Sequence, residues 1–113
     1  MAQLVRIDCN IIVDWNSFHK EFKQAFGFPA FYGENMNAWI DCMTSLDAPE
    51  DGMSSINCEV GTVLTIELDG INEFKNRCPD QYAAIIESSA FVNWRRIKNG
   101  EESVLALSFY TEE

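Results

Sequence analysis

The stretch "FPAFYGENMNAW", residues 28–39, decides how this part of the chain folds. It sets four aromatic side chains, a proline and a glycine directly before a run with helical spacing. Asn35 is a favoured helix N-cap, so we expect a helix from Met36 to about Leu46. Aromatic residues at such a junction usually pack in the core, and we predict this for Phe26, Phe28 and Trp39.

The predicted helix has two unlike faces. At about 100° per residue, its apolar side chains fall on one side and its polar ones on the other. The apolar set is Met36, Trp39, Ile40, Met43 and Leu46, and the polar set is Glu34, Asn37, Asp41 and Thr44. Because neighbours in a turning segment point to different sides, either Phe31 or Tyr32 should stay near the surface. An exposed aromatic beside carboxylates has the composition of an interface hot spot.

The segments on either side alternate between strand and helix patterns. "VRIDC", residues 5–9, has the period of two that is typical of a strand with one buried face, and "GTVLTIEL", residues 61–68, reads as a second strand. Between them, "NSFHKEFKQAFG", residues 16–27, predicts a helix that is capped by Asn16 or Ser17 and ends at Gly27. Further along, Pro79 fits the first turn of another helix.

The C-terminal segment changes period. "FVNWRRI" and "SVLALSFY" flank "KNGEE", and Asn99-Gly100 is a favoured pair for a tight hairpin turn. We therefore predict an antiparallel hairpin over residues 91–110. The predicted class is α/β, a single domain over 1–113 with three layers: a small, mostly parallel three-stranded sheet packed by helices, plus the hairpin strand.

Charge is unevenly distributed along the chain. The net charge is −10, and the segment from Gln24 to Phe74 contains carboxylates but no lysine or arginine. We expect this part of the molecule to be unneutralised and to attract a basic partner. Direct binding of nucleic acid is not expected, because it needs a cationic footprint.

Motifs of catalysis and cofactor binding are missing from the sequence. The four cysteines form no C-x-x-C pair, and no glycine-rich phosphate loop occurs. His19, the only histidine, is predicted to be a helix-surface imidazole. We predict no catalytic residue, no cofactor and no metal. Glu34 with Asp41 is the enzymatic alternative, an acid/base pair about 10 Å apart along the helix.

The N-terminal segment "MAQLVRIDCN" lacks the basic leader, the apolar region and the cleavage site of a signal peptide. No apolar run approaches the length of a membrane span. We expect a cytoplasmic protein that does not bind membranes.

Residues 28–46, "FPAFYGENMNAWIDCMTSL", resemble the barstar family of ribonuclease inhibitors. The family signature is a proline, an aromatic pair, then Tyr-Gly-Glu-Asn opening a helix that carries an aspartate. The matching residues are Pro29, Phe31, Tyr32, Gly33, Glu34, Asn35, Ala38, Asp41 and Thr44. "LTIEL", residues 64–68, resembles the second strand of the family. The resemblance implies a three-stranded parallel sheet packed by helices.

The same resemblance implies a function, which is to plug the active site of a ribonuclease. Asp41 matches the aspartate that takes the place of a substrate phosphate among the cationic groups of the enzyme. Thr44 matches another contacting position, Gly33 and Asn35 match the loop that shapes the surface, and Glu87 lies in the region of a glutamate on the last helix. The residues predicted to contact a partner are Phe31, Tyr32, Gly33, Asn35, Asn37, Asp41, Thr44 and Glu87.

The sequence departs from the family pattern at several positions. Phe31 stands in place of a tyrosine, Asn37 in place of a second helix aspartate, and Ile40 in place of a tryptophan. The acidic loop 47–55 and the hairpin are additions.

Two hypotheses follow. In the first, the chain is a monomeric bacterial immunity protein, the antitoxin of a toxin–antitoxin pair, that inhibits a basic ribonuclease or nuclease toxin domain. In the second, it is a general interaction module of barstar-like fold with a partner that is not a nuclease.

Overall fold

Three parallel strands form the sheet of this protein. The computed structural model describes residues 3–112, in which β1 (Gln3–Asp8), β2 (Leu64–Asp69) and β3 (Leu105–Ser108) lie in the order β1-β2-β3. Both neighbouring pairs are parallel, with Val5 opposite Ile66 and Ile66 opposite Leu107. The predicted class, an α/β fold with a small parallel sheet, is confirmed.

Within residues 3–112, four α-helices connect and cover the strands. They are α1 (Trp15–Phe26), α2 (Met36–Thr44), α3 (Ile71–Arg77) and α4 (Pro79–Lys98). Single turns of 3₁₀ helix lie at Cys9–Ile11 and Pro49–Asp51. Because the two strand connections pass through helices, β1, β2 and β3 can run in the same direction.

The ends of α1 follow from local chemistry. Asp14, two residues earlier than the first predicted cap, accepts a hydrogen bond from the Ser17 N–H at 2.8 Å, and the Ser17 hydroxyl accepts one from the Asp14 N–H. This reciprocal pair is a capping box with serine in the third position. At the other end, Gly27 has a φ of 69°, in the left-handed region that favours glycine.

Gly27 also sits against the loop that follows α2, so its replacement tests this packing. A Cβ at position 27 would lie 2.5 Å from Ser55 Cβ, whereas a Cβ at Gly52, which has a similar φ of 67°, would meet nothing within 4 Å. Gly52→Ala should cost about 1 kcal/mol for the left-handed backbone alone, and Gly27→Ala about 2–3 kcal/mol. Urea unfolding of both variants measures the difference; equal losses would show that Ser55 moves away freely.

The core lies between the helices and one face of the sheet. Phe18, Phe22 and Phe26 of α1 are fully buried, and Trp39 of α2 meets Phe22 edge-on with ring centroids 5.6 Å apart. Phe28 is also buried. The predicted burial of Phe26, Phe28 and Trp39 is confirmed.

The predicted C-terminal hairpin is wrong. Residues 91–97 belong to α4, and Asn99-Gly100 ends that helix: the Asn99 N–H donates to the carbonyl oxygens of Arg95 and Arg96, and Gly100 has a φ of 81°. The strand that follows pairs parallel to β2. An Asn-Gly pair suits a helix C-terminus as well as a hairpin, and the buried residues Ile85, Val92 and Arg96 share one face of a continuous helix.

One face of the sheet is open at β1. Leu4 is exposed, and the side chain of Arg6 lies in solvent beside Glu67 and Asp69. In the part of the chain that the structure describes, no helix covers this face of β1, so the third layer predicted from the sequence is absent at this strand. Within the described stretch, no helix combines the length and the apolar character needed to cross a membrane.

Candidate partner-binding face

The helix α2 is held rigidly by its cap and its buried face. The Asn35 side chain accepts a hydrogen bond from the Ala38 N–H at 2.8 Å and donates one to the carbonyl oxygen of Gly33 at 3.2 Å. Trp39, Cys42 and Met43 on the opposite face are fully or almost fully buried. The predicted cap at Asn35 is confirmed, and the loop and the helix are joined by one side chain.

Asp41 lies near the middle of the exposed face of α2. Its side chain is 61% exposed, and one of its carboxylate oxygens lies 3.3 Å from Nη2 of Arg95 on α4. The same Nη2 donates to the hydroxyl of Thr44 at 2.5 Å, and that hydroxyl donates to the carbonyl oxygen of Ile40 at 2.6 Å. An arginine of the chain itself therefore joins two of the residues predicted to contact a partner.

Sequence reasoning missed Arg95 because it placed residues 91–97 on a strand. On a helix that begins at Pro79, Arg95 lies one residue before the buried Arg96 and faces α2. Continuing the helix that begins at Pro79 as far as Lys98 would have placed Arg95 on that helix. The error in the secondary structure thus hid a charged residue of the candidate site.

The two aromatics of the loop have separate positions, as predicted. Phe31 is 74% exposed, whereas Tyr32 is 6% exposed and its hydroxyl is hydrogen-bonded to Nδ1 of His19 at 2.6 Å. Tyr32 still forms the inner wall of an open cavity of about 270 Å³, which is bordered by Phe31 and Asp41. A partner could therefore touch Phe31 directly and Tyr32 only through this cavity.

The prediction of a surface imidazole is wrong, because His19 is buried. It lies one residue after Phe18, packs between Trp15 and Tyr32, and forms the hydrogen bond that fixes the tyrosine. Burial lowers the pKa of His19 below its ordinary value of 6.5, while the negative charge of Glu34 opposes this shift.

This lowered pKa predicts acid sensitivity. The folded state keeps His19 neutral at a pH where the unfolded chain takes up a proton, so its contribution to stability is complete above about pH 6.5 and is lost as the pH falls below that value. We expect the free energy of unfolding in urea to be lower at about pH 5.5 than at about pH 7.5. His19→Gln, which does not titrate, should remove most of this difference; an unchanged difference would assign it to other groups.

The remaining predicted residues are placed as follows. Gly33, Asn35 and Asn37 are exposed at the loop and on the first turns of α2. Glu87 is exposed on α4, about 12 Å of helix rise from Arg95. No hydrogen bond or ion pair joins Glu87 to α2 in the described part of the chain, and its role stays a prediction.

The expectation of an unneutralised acidic half is wrong for four carboxylates. Arginines from outside residues 24–74 reach them: Arg95 pairs with Asp41, Arg96 with Asp47, and Arg6 with Glu67 and Asp69. Five others are exposed, namely Glu34, Glu50, Asp51, Glu59 and Glu73. The surface therefore remains negatively charged, and the only carboxylates of this segment that are paired are those next to Arg6, Arg95 and Arg96 in the described residues.

The four cysteines are buried free thiols. Cys42 lines the cavity beside Asp41, and burial raises the pKa of its thiol to about 11. It is therefore protonated at neutral pH and a weak nucleophile. Among residues 3–112, no group of three or more histidine, cysteine or acidic side chains is arranged to hold a metal ion.

The fold and the site define a small α/β protein with a parallel three-stranded sheet and a rigid, exposed helix that carries a carboxylate beside an aromatic loop. The chain belongs to the Barstar family, described as barstar, the barnase inhibitor, whose model matches residues 2–99. Members of this family are inhibitors and not enzymes. No curated protein matches the chain significantly.

Proposed function

We propose that this protein inhibits a basic ribonuclease by placing the exposed face of α2 in the active site of the enzyme. In this role it is the immunity partner of a toxin in the bacterial cytoplasm. The observation that carries the proposal is the position of Asp41, an exposed carboxylate on a helix whose other face is locked in the core.

The chemistry of the target explains why a carboxylate suits this position. A ribonuclease needs cationic side chains to hold the phosphodiester of its substrate, and such groups form strong, charge-assisted hydrogen bonds to carboxylates. Asp41 can replace a substrate phosphate there, since one of its oxygens remains free of Arg95. A rigid helix loses little conformational entropy when this contact forms.

The loop supplies the apolar part of the same contact. Phe31 stands out from the surface beside the cavity that Asp41 borders, and Gly33 and Asn35 shape its edge. Aromatic side chains next to desolvated charges account for much of the binding energy at many interfaces. Asn37, one turn before Asp41, adds a neutral hydrogen-bonding group.

A panel of basic bacterial nuclease domains, assayed with a fluorogenic RNA substrate, tests the proposal. We expect at least one ribonuclease to be inhibited with one inhibitor molecule per enzyme. The matched control is Glu50→Gln, which removes one exposed carboxylate from the loop after α2 and should inhibit as well as the wild type. Failure of the wild-type protein to inhibit any member would contradict the proposal.

The association rate should depend on salt. Exposed carboxylates attract a basic enzyme over a distance of about 10 Å at 0.1 M salt, and higher salt shortens that range. We expect the association rate constant to fall at least about tenfold between about 0.05 and 0.5 M sodium chloride, measured by stopped-flow fluorescence. A rate that does not change with salt would contradict electrostatic steering.

The general interaction module remains a second candidate, favoured by two observations. Asn37 is neutral, and Arg95 offsets part of the charge of Asp41, so the face is less anionic than a simple phosphate mimic. A pull-down from the cell of origin separates the candidates. Recovery of a basic ribonuclease supports inhibition, and recovery of a protein without nuclease activity supports the module.

A further inference from the structure

Arg95 is fixed beside Asp41 by three contacts. Its Nη2 atom donates to Thr44 Oγ1 at 2.5 Å and lies 3.3 Å from Asp41 Oδ1, and its guanidinium carbon lies 5.7 Å from the ring centre of Phe91. Its side chain is only 33% exposed. The guanidinium is therefore held in one place and is not a freely moving surface charge.

Aromatic packing on α4 supports this position. The ring of Phe91 stacks on Trp94 with centroids 5.8 Å apart, and both rings are partly exposed next to Arg95. The contact with Phe91 is of the cation–π type, which strengthens when water is excluded. A partner that excludes water from this surface would therefore strengthen the contact between Arg95 and Phe91.

A partner consequently meets two opposite charges side by side. The carboxylate of Asp41 attracts a cation, but a cation placed there also lies close to the guanidinium of Arg95. Like charges placed together across an interface cost several kcal/mol. A cleft lined only by cations therefore fits this face poorly, whereas a cleft with a cation beside a carboxylate satisfies both charges.

We propose that Arg95 is a specificity-determining residue that selects a nuclease whose active site has a carboxylate next to its phosphate-binding cation. This inference rests on the proposed function and names its target more closely. A nuclease that uses glutamate or aspartate as its general base has such an arrangement. In the complex, Asp41 binds the cation and Arg95 donates to the carboxylate.

A double-mutant cycle tests the pair. The nuclease found with the panel is compared with its variant in which that carboxylate is replaced by glutamine, each against the wild-type protein and Arg95→Gln. We expect the wild type to lose about tenfold in affinity for the glutamine variant, and Arg95→Gln to lose almost nothing. Lys98→Gln is the matched control, because Lys98 is an exposed cation of the same helix that lies over Trp94, and it should behave as the wild type.

Two results would overturn the inference: equal losses by the wild type and Arg95→Gln, or a nuclease without a carboxylate beside its phosphate-binding cation. A second measurement uses hexa-arginine and an alternating Arg-Glu hexapeptide as probes. Arg95→Gln should bind hexa-arginine about threefold more tightly relative to Lys98→Gln, and the alternating peptide more weakly. The tighter binding of hexa-arginine by Arg95→Gln should vanish when Asp41 is also changed to asparagine.

The two measurements separate the two proposals. If no nuclease binds but the peptide pattern holds, the inhibitor function and the nuclease target both fail, and only the preference of Arg95 for a carboxylate beside a cation stands. If a nuclease binds without coupling to Arg95, the function stands and the inference fails. Peptide binding that changes equally in Arg95→Gln and Lys98→Gln reflects net charge alone and also overturns it.

Discussion

Asp41→Ala is expected to weaken the complex with the target nuclease by about 30-fold to several thousandfold. Removing one member of a charge pair that is desolvated in an interface costs about 2–5 kcal/mol, partly because the cation of the partner is left buried and unpaired. The stability of the free protein should be almost unaffected. Its Asp41 side chain is 61% exposed, and the ion pair with Arg95 lies at the surface, where such pairs contribute about 0–1 kcal/mol.

Two measurements together check this result. Inhibition constants give the loss of affinity, and thermal unfolding gives the change in stability. A loss of several kcal/mol in stability would show that Asp41 is a structural residue. An equal loss of affinity in Glu50→Gln would show that overall charge, and not the position of Asp41, governs binding.

The second large effect concerns stability. Arg96→Ala should lower the free energy of unfolding by about 3–5 kcal/mol, because breaking a buried ion pair leaves a carboxylate buried without its partner. Arg96 is 3% exposed, and its two terminal nitrogens, Nη1 and Nη2, donate to the two carboxylate oxygens of Asp47 at 3.0 and 2.6 Å. It also donates to the carbonyl oxygens of Thr44 and Glu102. One side chain thus ties the end of α2 to the segment that leads into β3.

Urea unfolding with two further variants makes this prediction specific. The neighbouring Arg95→Ala removes the same charge from the same helix. It breaks the surface ion pair with Asp41, the hydrogen bond to Thr44 and the contact with Phe91 but leaves no buried charge unpaired, so it should cost only about 1–2 kcal/mol. Replacing Arg96 by methionine and Asp47 by leucine together should recover part of the loss, since no unpaired charge then remains buried. Equal effects of Arg95→Ala and Arg96→Ala would contradict this reading of the ion pair.

The elements that sequence analysis predicted correctly are those set by local patterns. The Asn35 cap, the apolar side of α2 and the end of α1 at Gly27 depend on residues only a few positions apart. His19 also had a local signal, since it lies three positions before Phe22 and so falls on the apolar side of α1. The polar character of histidine suggested a surface position, but the three-residue spacing from Phe22 indicated the buried side correctly.

The elements that sequence analysis missed depend on distant contacts. Asn99-Gly100 ends a helix or turns a hairpin, and the choice is made by the packing of Val92 and Arg96 in the core. The arginines that neutralise part of the acidic segment lie far from it in sequence, at Arg6, Arg95 and Arg96. Charge counted within a window cannot show pairs that form only when the chain folds.

Competition with a nucleotide tests most directly whether the face around Asp41 occupies a nuclease active site. The nuclease found with the panel is mixed with a nucleotide 3′-phosphate that binds its active site, and the apparent affinity for this protein is measured as the nucleotide concentration rises. We expect the apparent dissociation constant to rise linearly with the nucleotide concentration, by a factor of one plus the ratio of that concentration to the dissociation constant of the nucleotide. A dissociation constant that stays the same at saturating nucleotide would place the contact elsewhere and contradict the account.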